Sequence, residues 1–189
     1  MSKTSLLNEE KKRIRQEILR KRAALDSEYI ERYSKLLCEK LMNTPEYKCC
    51  SSICLYMPIK NEIDVRHILE NAWACGKKVY LPKILQGDDG LYMDFYQYDK
   101  ATPLIEGPYN ILEPDSDDAL VPDKDTLIIM PGAVFSKDRV RIGYGGGYYD
   151  RYLSHNPVCK TMAVAYDFQV LDKLVCDVHD VRPQKVLYI

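Results

Sequence analysis

The sequence is short of the features that assign many chains at once: it has no charge excess, no long apolar run and no spaced set of metal ligands. Its 189 residues carry 27 Lys and Arg against 28 Asp and Glu, a formal net charge of −1. No global field therefore draws it to nucleic acid or to an anionic membrane surface. No apolar stretch approaches the roughly 18 residues of a membrane span, and no secretory leader pattern opens the chain, so a cytoplasmic protein is expected. Histidine occurs only three times. The seven cysteines, at 38, 49, 50, 54, 75, 159 and 176, include no Cys-x-x-Cys pair and no histidine partner at zinc spacing. An odd number, mostly inside apolar runs, fits buried and reduced thiols. Internal repeats and low-complexity tracts are also missing, and the length suits one domain, residues 1–189, with an ample core.

What is present is a concentration of unusual residues in one place. The stretch from Arg141 to Leu153, Arg-Ile-Gly-Tyr-Gly-Gly-Gly-Tyr-Tyr-Asp-Arg-Tyr-Leu, lies between apolar runs and puts Gly143, Gly145, Gly146 and Gly147 directly before a helix-like segment. Glycines there let a group approach the main chain, and a helix start behind them directs amides and dipole at one spot that favours an anion. Arg141 adds a permanent cation, and Asp150 a carboxylate where a phosphate-bound divalent metal can collect it. The loop has no Gly-Lys-Ser/Thr ending, and Tyr148 stands where a dinucleotide fingerprint needs its last glycine, so neither standard phosphate loop applies.

Charge is also uneven along the chain. Residues 1–25 hold eight Lys and Arg against three acids, and residues 113–125 hold six acids against one lysine. The opening reads as a helix capped at Asn8, with Ile14 and Ile18 near helical spacing. Lys11 and Arg15 are four apart and share a face, which suits a phosphate clamp as well as a solvated surface. Asp26 or Ser27 caps a second helix with an apolar stripe of Ile30, Tyr33, Leu37 and Leu41. A strand over 52–57, a loop containing Glu62, a helix over 65–75 ending at Gly76 and a strand over 77–81 make a β-loop-α-β unit with parallel strands. Glu62 then stands at the carboxyl end of its strand, where open α/β sheets bind ligands. Residues 91–98 alternate as a half-exposed strand; 107–114 are too punctuated for regular structure; 115–125 read as an acidic connection. Residues 126–135 form the most apolar strand, expected at the centre and leading into the glycine loop, and 161–166 and 186–189 close the sheet. His179 beside Asp180 reads as a surface pair.

With these residues in order, the chain resembles the 5-formyltetrahydrofolate cyclo-ligase family. The resemblance rests on the run from Arg141 to Asp150, preceded by Met-Pro-Gly-Ala-Val-Phe135, on the basic opening helix, and on Tyr-Met-Pro-Ile-Lys-Asn-Glu-Ile-Asp64. It continues through Gly-Pro-Tyr-Asn-Ile-Leu-Glu-Pro114 to the His-Asp-Val ending, so it spans nearly the whole chain. It implies a three-layer α/β/α fold with a mainly parallel central sheet, related to sugar-phosphate isomerases and CoA transferases. It also implies an ATP-dependent, Mg²⁺-dependent ligase that converts 5-formyltetrahydrofolate to 5,10-methenyltetrahydrofolate, and a monomer is expected. On that resemblance Lys11, Arg15, Arg141 and Tyr149 hold ATP, with Gly143, Tyr144, Gly145, Gly146 and Gly147 wrapping its phosphates and bordering the folate. Met57, Glu62, Tyr109 and Tyr148 contact the folate, Arg141 and Tyr148 serve the reacting groups, and Asp150 with Asp180 binds Mg²⁺, Asp177 being the alternative to Asp180. Some members carry a lysine or arginine within the glycine run where this chain has Tyr144 and Gly146, and a tryptophan where it has Tyr109. Two other functions fit the loop: a sugar-phosphate isomerase with Glu62 as base, and a non-catalytic folate or nucleotide binder.

Overall fold

The computed structural model describes residues 3–88, 90–178 and 180–189, so the surface pair expected at His179 lies outside the described residues. Helix α1 spans Lys3–Ala23. It begins before Asn8, which is therefore interior and not a cap, because Leu6 and Leu7 are good helix formers that let the helix extend upstream. Ile18, 1% exposed, packs with Val134 and Ile142, and Arg20, Lys21 and Arg22 occupy the last turn, at the negative end of the dipole. Helix α2 (Ser27–Met42) starts at Asp26, whose carboxylate accepts from Tyr29 N at 2.7 Å. Leu37 and Leu41 of its stripe are fully buried, while Ile30 and Tyr33 are half-buried. The single turn α3 (Pro45–Cys49) follows from a Thr44 cap.

Strand β1 is short, Ser52–Cys54, though Leu55 and Tyr56 beyond it are also buried. After the loop containing Glu62, Asp64 caps a 3₁₀ turn, Val65–Ile68, that continues into α4 (Leu69–Ala74) and stops at Gly76, φ +71°. Strand β2 (Lys78–Gly87) runs well past the expected Leu81 and pairs antiparallel with β3 (Gly90–Gln97). Pro82 interrupts nothing, because β1 pairs only with Lys78–Tyr80 and beyond that point β2 has a neighbour on one side. The punctuated segment 107–114 turns out to be partly regular: β4 (Leu104–Glu106) and β5 (Leu112–Pro114) pair across the turn Pro108–Asn110.

The expected single strand over 126–135 is two. β6 (Thr126–Ile129) ends before Pro131, which has no N–H to donate, and β7 (Val134–Ser136) joins a second, small sheet with β8 (Arg141–Ile142). Helix α5 (Tyr148–His155), β9 (Lys160–Ala165), β10 (Val170–Leu171) and β11 (Lys185–Tyr188) complete the chain. The main sheet has the order β11-β9-β6-β1-β2-β3, parallel throughout except for β3. β6 is central, as its composition suggested. Side chains of successive residues part to opposite faces: Ile53, Leu127 and Ile129 pack with Leu37 of α2 and Ala72 of α4, whereas Cys54, Ile128 and Met130 pack with Tyr152 and Leu153 of α5. Helices therefore cover both faces of a mainly parallel sheet.

Parallel pairing sends the segments after β1, β6 and β9 out at one end. Gln169, following β9, ties its segment to the one after β6 by donating to Gly132 O at 3.3 Å and Ala133 O at 2.9 Å. The only tryptophan, Trp73, sits at the other end, where its indole N–H donates to Tyr98 O at 3.4 Å and Tyr98 N donates to Val79 O at the start of β2. The cysteines are all free; Cys38, Cys50, Cys54 and Cys159 are buried as expected, but Cys49 and Cys75 are exposed because they fall at the ends of the short helices α3 and α4.

Candidate active site

The glycine loop bridges β8 and α5 at the carboxyl end of the main sheet. Gly145 and Gly147 have φ of +105° and +66°, values that only glycine adopts freely, and Gly147 opens α5 with no side-chain cap. Helix α1 lies against this loop: Arg15 Nη1 donates to Gly143 O at 3.3 Å, and Lys11 Nζ pairs with Asp180 Oδ2 at 2.5 Å. That same Asp180 oxygen accepts from Asp177 N at 2.7 Å.

Arg141 is 6% exposed. Its Nη2 donates to Asp150 Oδ1 at 2.8 Å and its Nη1 to Pro131 O at 3.3 Å, while Nε is buried with no acceptor among the described residues. Asp150 Oδ1 also accepts from Val181 N at 3.0 Å, which brings Asp150 and the segment carrying Asp180 together. Tyr149 turns inward: its ring meets Phe95 edge-on at 6.1 Å and its hydroxyl is buried, which raises its pKa. Tyr148 turns the other way, and its hydroxyl shares a 2.8 Å hydrogen bond with that of Tyr109, an exposed residue held at φ +67° in the β4–β5 turn. The bond to Tyr109 is the main cause that raises the Tyr148 pKa.

Glu62 is 5% exposed and so is a buried carboxylate, not the solvated one its loop position suggests. Tyr144 donates to Glu62 Oε1 at 2.5 Å and Ile59 N donates to Oε2 at 3.0 Å. Burial raises the Glu62 pKa, with Arg22 and Tyr144 opposing it. The Tyr144 hydroxyl is likewise pushed up, by burial and then by the Glu62 charge. Met57 is half-buried against the main core at the start of the same loop.

Lys11 with Asp180, Arg15 with Gly143, Arg141 with Asp150, and Tyr144 with Glu62 thus meet in pairs around the glycine loop, whereas Tyr109 and Tyr148 form a separate pair on its outer side. One residue of the cluster, Arg22, was not among those read from the sequence. It is 1% exposed, and its guanidinium bonds to Tyr144 and stands 3.9 Å from Glu62. The signal was available, since Arg22 continues the spacing of Lys11 and Arg15 at seven residues, two further turns along the same helix face.

The model of the 5-formyltetrahydrofolate cyclo-ligase family matches residues 7–189. A probable 5-formyltetrahydrofolate cyclo-ligase of Schizosaccharomyces pombe is 35% identical over 130 residues, covering 66% of this chain and 62% of that relative, so that alignment spans less than two thirds of it. The mouse 5-formyltetrahydrofolate cyclo-ligase is 29% identical over 96% of this chain and 95% of its own. An NMR structure of the Aquifex aeolicus 5,10-methenyltetrahydrofolate synthetase superposes with a TM-score of 0.82 at 30% identity, covering 94% of this chain and 89% of that one. By its sequence over nearly its full length and by its fold, this chain is an enzyme of the 5-formyltetrahydrofolate cyclo-ligase family.

Proposed function

We propose that this chain converts 5-formyltetrahydrofolate to 5,10-methenyltetrahydrofolate with ATP and Mg²⁺, releasing ADP and phosphate. The observation that carries the reading is the convergence of Lys11, Arg15 and the Arg141–Asp150 pair on one glycine loop, beside a buried carboxylate at Glu62. A formamide carbon is a poor electrophile and its oxygen a poor leaving group. The formyl oxygen therefore attacks the γ-phosphorus of ATP and ADP departs; N10 then attacks the activated carbon and loses its proton as the C–O bond breaks to release phosphate. Such transfer depends on positioning and charge stabilisation more than on covalent help.

In this reading Lys11, Arg15 and Arg141 neutralise the phosphates within the loop formed by Gly143–Gly147, Tyr149 supports the loop from below, and the unpartnered Nε of Arg141 is a donor left for the transferred group. Among the described residues, Asp150 and Asp180 each commit one carboxylate oxygen to the bonds above and keep the second. Two carboxylate oxygens completed by phosphate and water suit Mg²⁺, which when bound neutralises phosphate charge. Glu62 keeps one lone-pair site on each oxygen after Tyr144 and Ile59, a match for paired N–H donors of a pterin once the buried carboxylate is uncovered. Met57, Tyr109 and Tyr148 wall the folate, with the Tyr148 hydroxyl facing the formyl group. We further read residues 1–189 as one monomeric, cytoplasmic domain related in fold to sugar-phosphate isomerases and CoA transferases; among the described residues no helix is long and apolar enough to cross a membrane. The test is near-ultraviolet absorbance of the purified chain with 5-formyltetrahydrofolate, Mg²⁺ and ATP. A rise from the conjugated methenyl product that vanishes without ATP is expected, and a folded protein giving no rise would reject the assignment.

A further inference from the structure

We propose that Arg22 and Tyr144 couple the folate subsite to the nucleotide loop, so that a ligand reaching Glu62 alters how the glycine loop receives a nucleotide; this rests on the function just proposed. Among the described residues Arg22 leads the fully buried side chains in size, and its guanidinium joins three segments far apart in sequence. Nε donates to Lys60 O at 2.8 Å, Nη1 donates to Gly132 O at 3.3 Å and stands 3.9 Å from Glu62 Oε1, and Nη2 donates to the Tyr144 hydroxyl. Asn61 Nδ2 returns a bond to Arg22 O at 3.2 Å. Lys60 and Asn61 lie at φ +50° and +58°, a region that asparagine enters readily but lysine uncommonly. The turn bond from Glu62 N to Ile59 O at 3.0 Å closes this pair, and Arg22 braces it by bonding to both residues.

Glu62 offers little open surface, its side chain being 4% exposed, with Tyr144 on one oxygen and Ile59 N on the other. Paired N–H donors of a ligand meet that carboxylate only if Tyr144 or the loop 60–62 gives way. Arg22 holds both with one rigid planar fork, so a shift at either is felt at the other. Tyr144 is itself a member of the glycine loop, between Gly143 and Gly145; its displacement displaces the main chain proposed to wrap phosphate. Arg22 is on this account a positioning residue that touches neither substrate.

Calorimetric titration of the full chain with a non-hydrolysable ATP analogue and Mg²⁺, with and without saturating 5-formyltetrahydrofolate, measures the coupling directly. In the native chain folate should change the analogue's Kd by about 5-fold or more. Tyr144→Phe keeps the ring and removes the bridging hydroxyl, and Arg22→Lys keeps the charge and loses the fork. Each should bring the factor toward one, and the double variant should lose no more coupling than the larger single loss, as expected of groups acting as one unit. Thermal melts check folding; should Arg22→Lys not fold, Tyr144→Phe decides. A native-sized factor in folded Tyr144→Phe overturns the proposal, as does a factor of one in the native chain. The parent assignment is judged separately, by formation of methenyl product with ATP.

Discussion

Arg141 and Asp150 show how the site was written into residue types. A permanently charged group and a carboxylate nine positions apart face each other because β8 ends and α5 begins on either side of the glycines, and the observed 2.8 Å pair follows. Arg141→Ala should lower kcat/KM by an amount equivalent to about 2–4 kcal/mol of transition-state stabilisation if the residue acts on the transferred phosphoryl group. Steady-state kinetics at varied ATP checks this; a change in folate KM alone would remove Arg141 from that role. Asp150→Asn retains an oxygen for Arg141 and Val181 and loses the charge, so it should raise the Mg²⁺ concentration needed for half-maximal rate, and an unaltered Mg²⁺ titration would exclude it from the metal. Glu62→Gln should damage folate use while leaving nucleotide binding nearly intact. Its position at a strand end was legible in the sequence, but its burial was not, because burial here comes from Arg22 and Tyr144, residues 40 before and 82 after it.

At the scale of elements, regular patterns were readable and interruptions were not placed well. The stripe of α2 and the Asp64-to-Gly76 unit follow from local signals that no distant contact contradicts. The strand over 126–135 failed because hydropathy is blind to which sheet a residue joins, and Pro131 divides a uniformly apolar run between two sheets. The β4–β5 hairpin was hidden by its prolines and glycine. It is anchored by Glu113, 4% exposed, whose Oε1 accepts from Ile84 N of β2 at 3.1 Å. A Cβ at Gly107 would come within 2.1 Å of the Glu113 carboxyl, so any side chain there forces that buried carboxyl to move. Gly107→Ala should destabilise the chain by about 1–3 kcal/mol through overpacking, read from denaturant unfolding. It should also raise the folate KM, since the hairpin carries Tyr109; a stability loss with folate KM unmoved would separate the hairpin from the site.

For the molecule as a whole, the near-balance of charge hides carboxyls with opposite tendencies. Glu62, Asp94 and Glu113 are raised above the usual carboxylate range, each chiefly by burial. A carboxyl raised on folding binds its proton more tightly in the folded chain, so stability falls as pH rises from the unfolded value through the folded one. Glu113→Gln keeps an acceptor for Ile84 N and abolishes that titration. Its Tm relative to the native chain should therefore be more favourable at about pH 7.5 than at about pH 4, just below the unfolded glutamate value of about 4.3. A difference independent of pH would mean that Glu113 does not titrate there.

The placement of Trp73 has a practical bearing on all these measurements. Its indole, with Tyr98 at 5.9 Å and Lys100 over its ring, is packed at the amino-terminal end of the parallel strands, while the glycine loop and Glu62 occupy the carboxyl-terminal end. Emission excited selectively at the indole is thus a reporter of the sheet's integrity: it should move sharply in unfolding and stay nearly constant when nucleotide or folate is added. The two kinds of event, often entangled in one optical signal, are separated here by the length of a β-sheet.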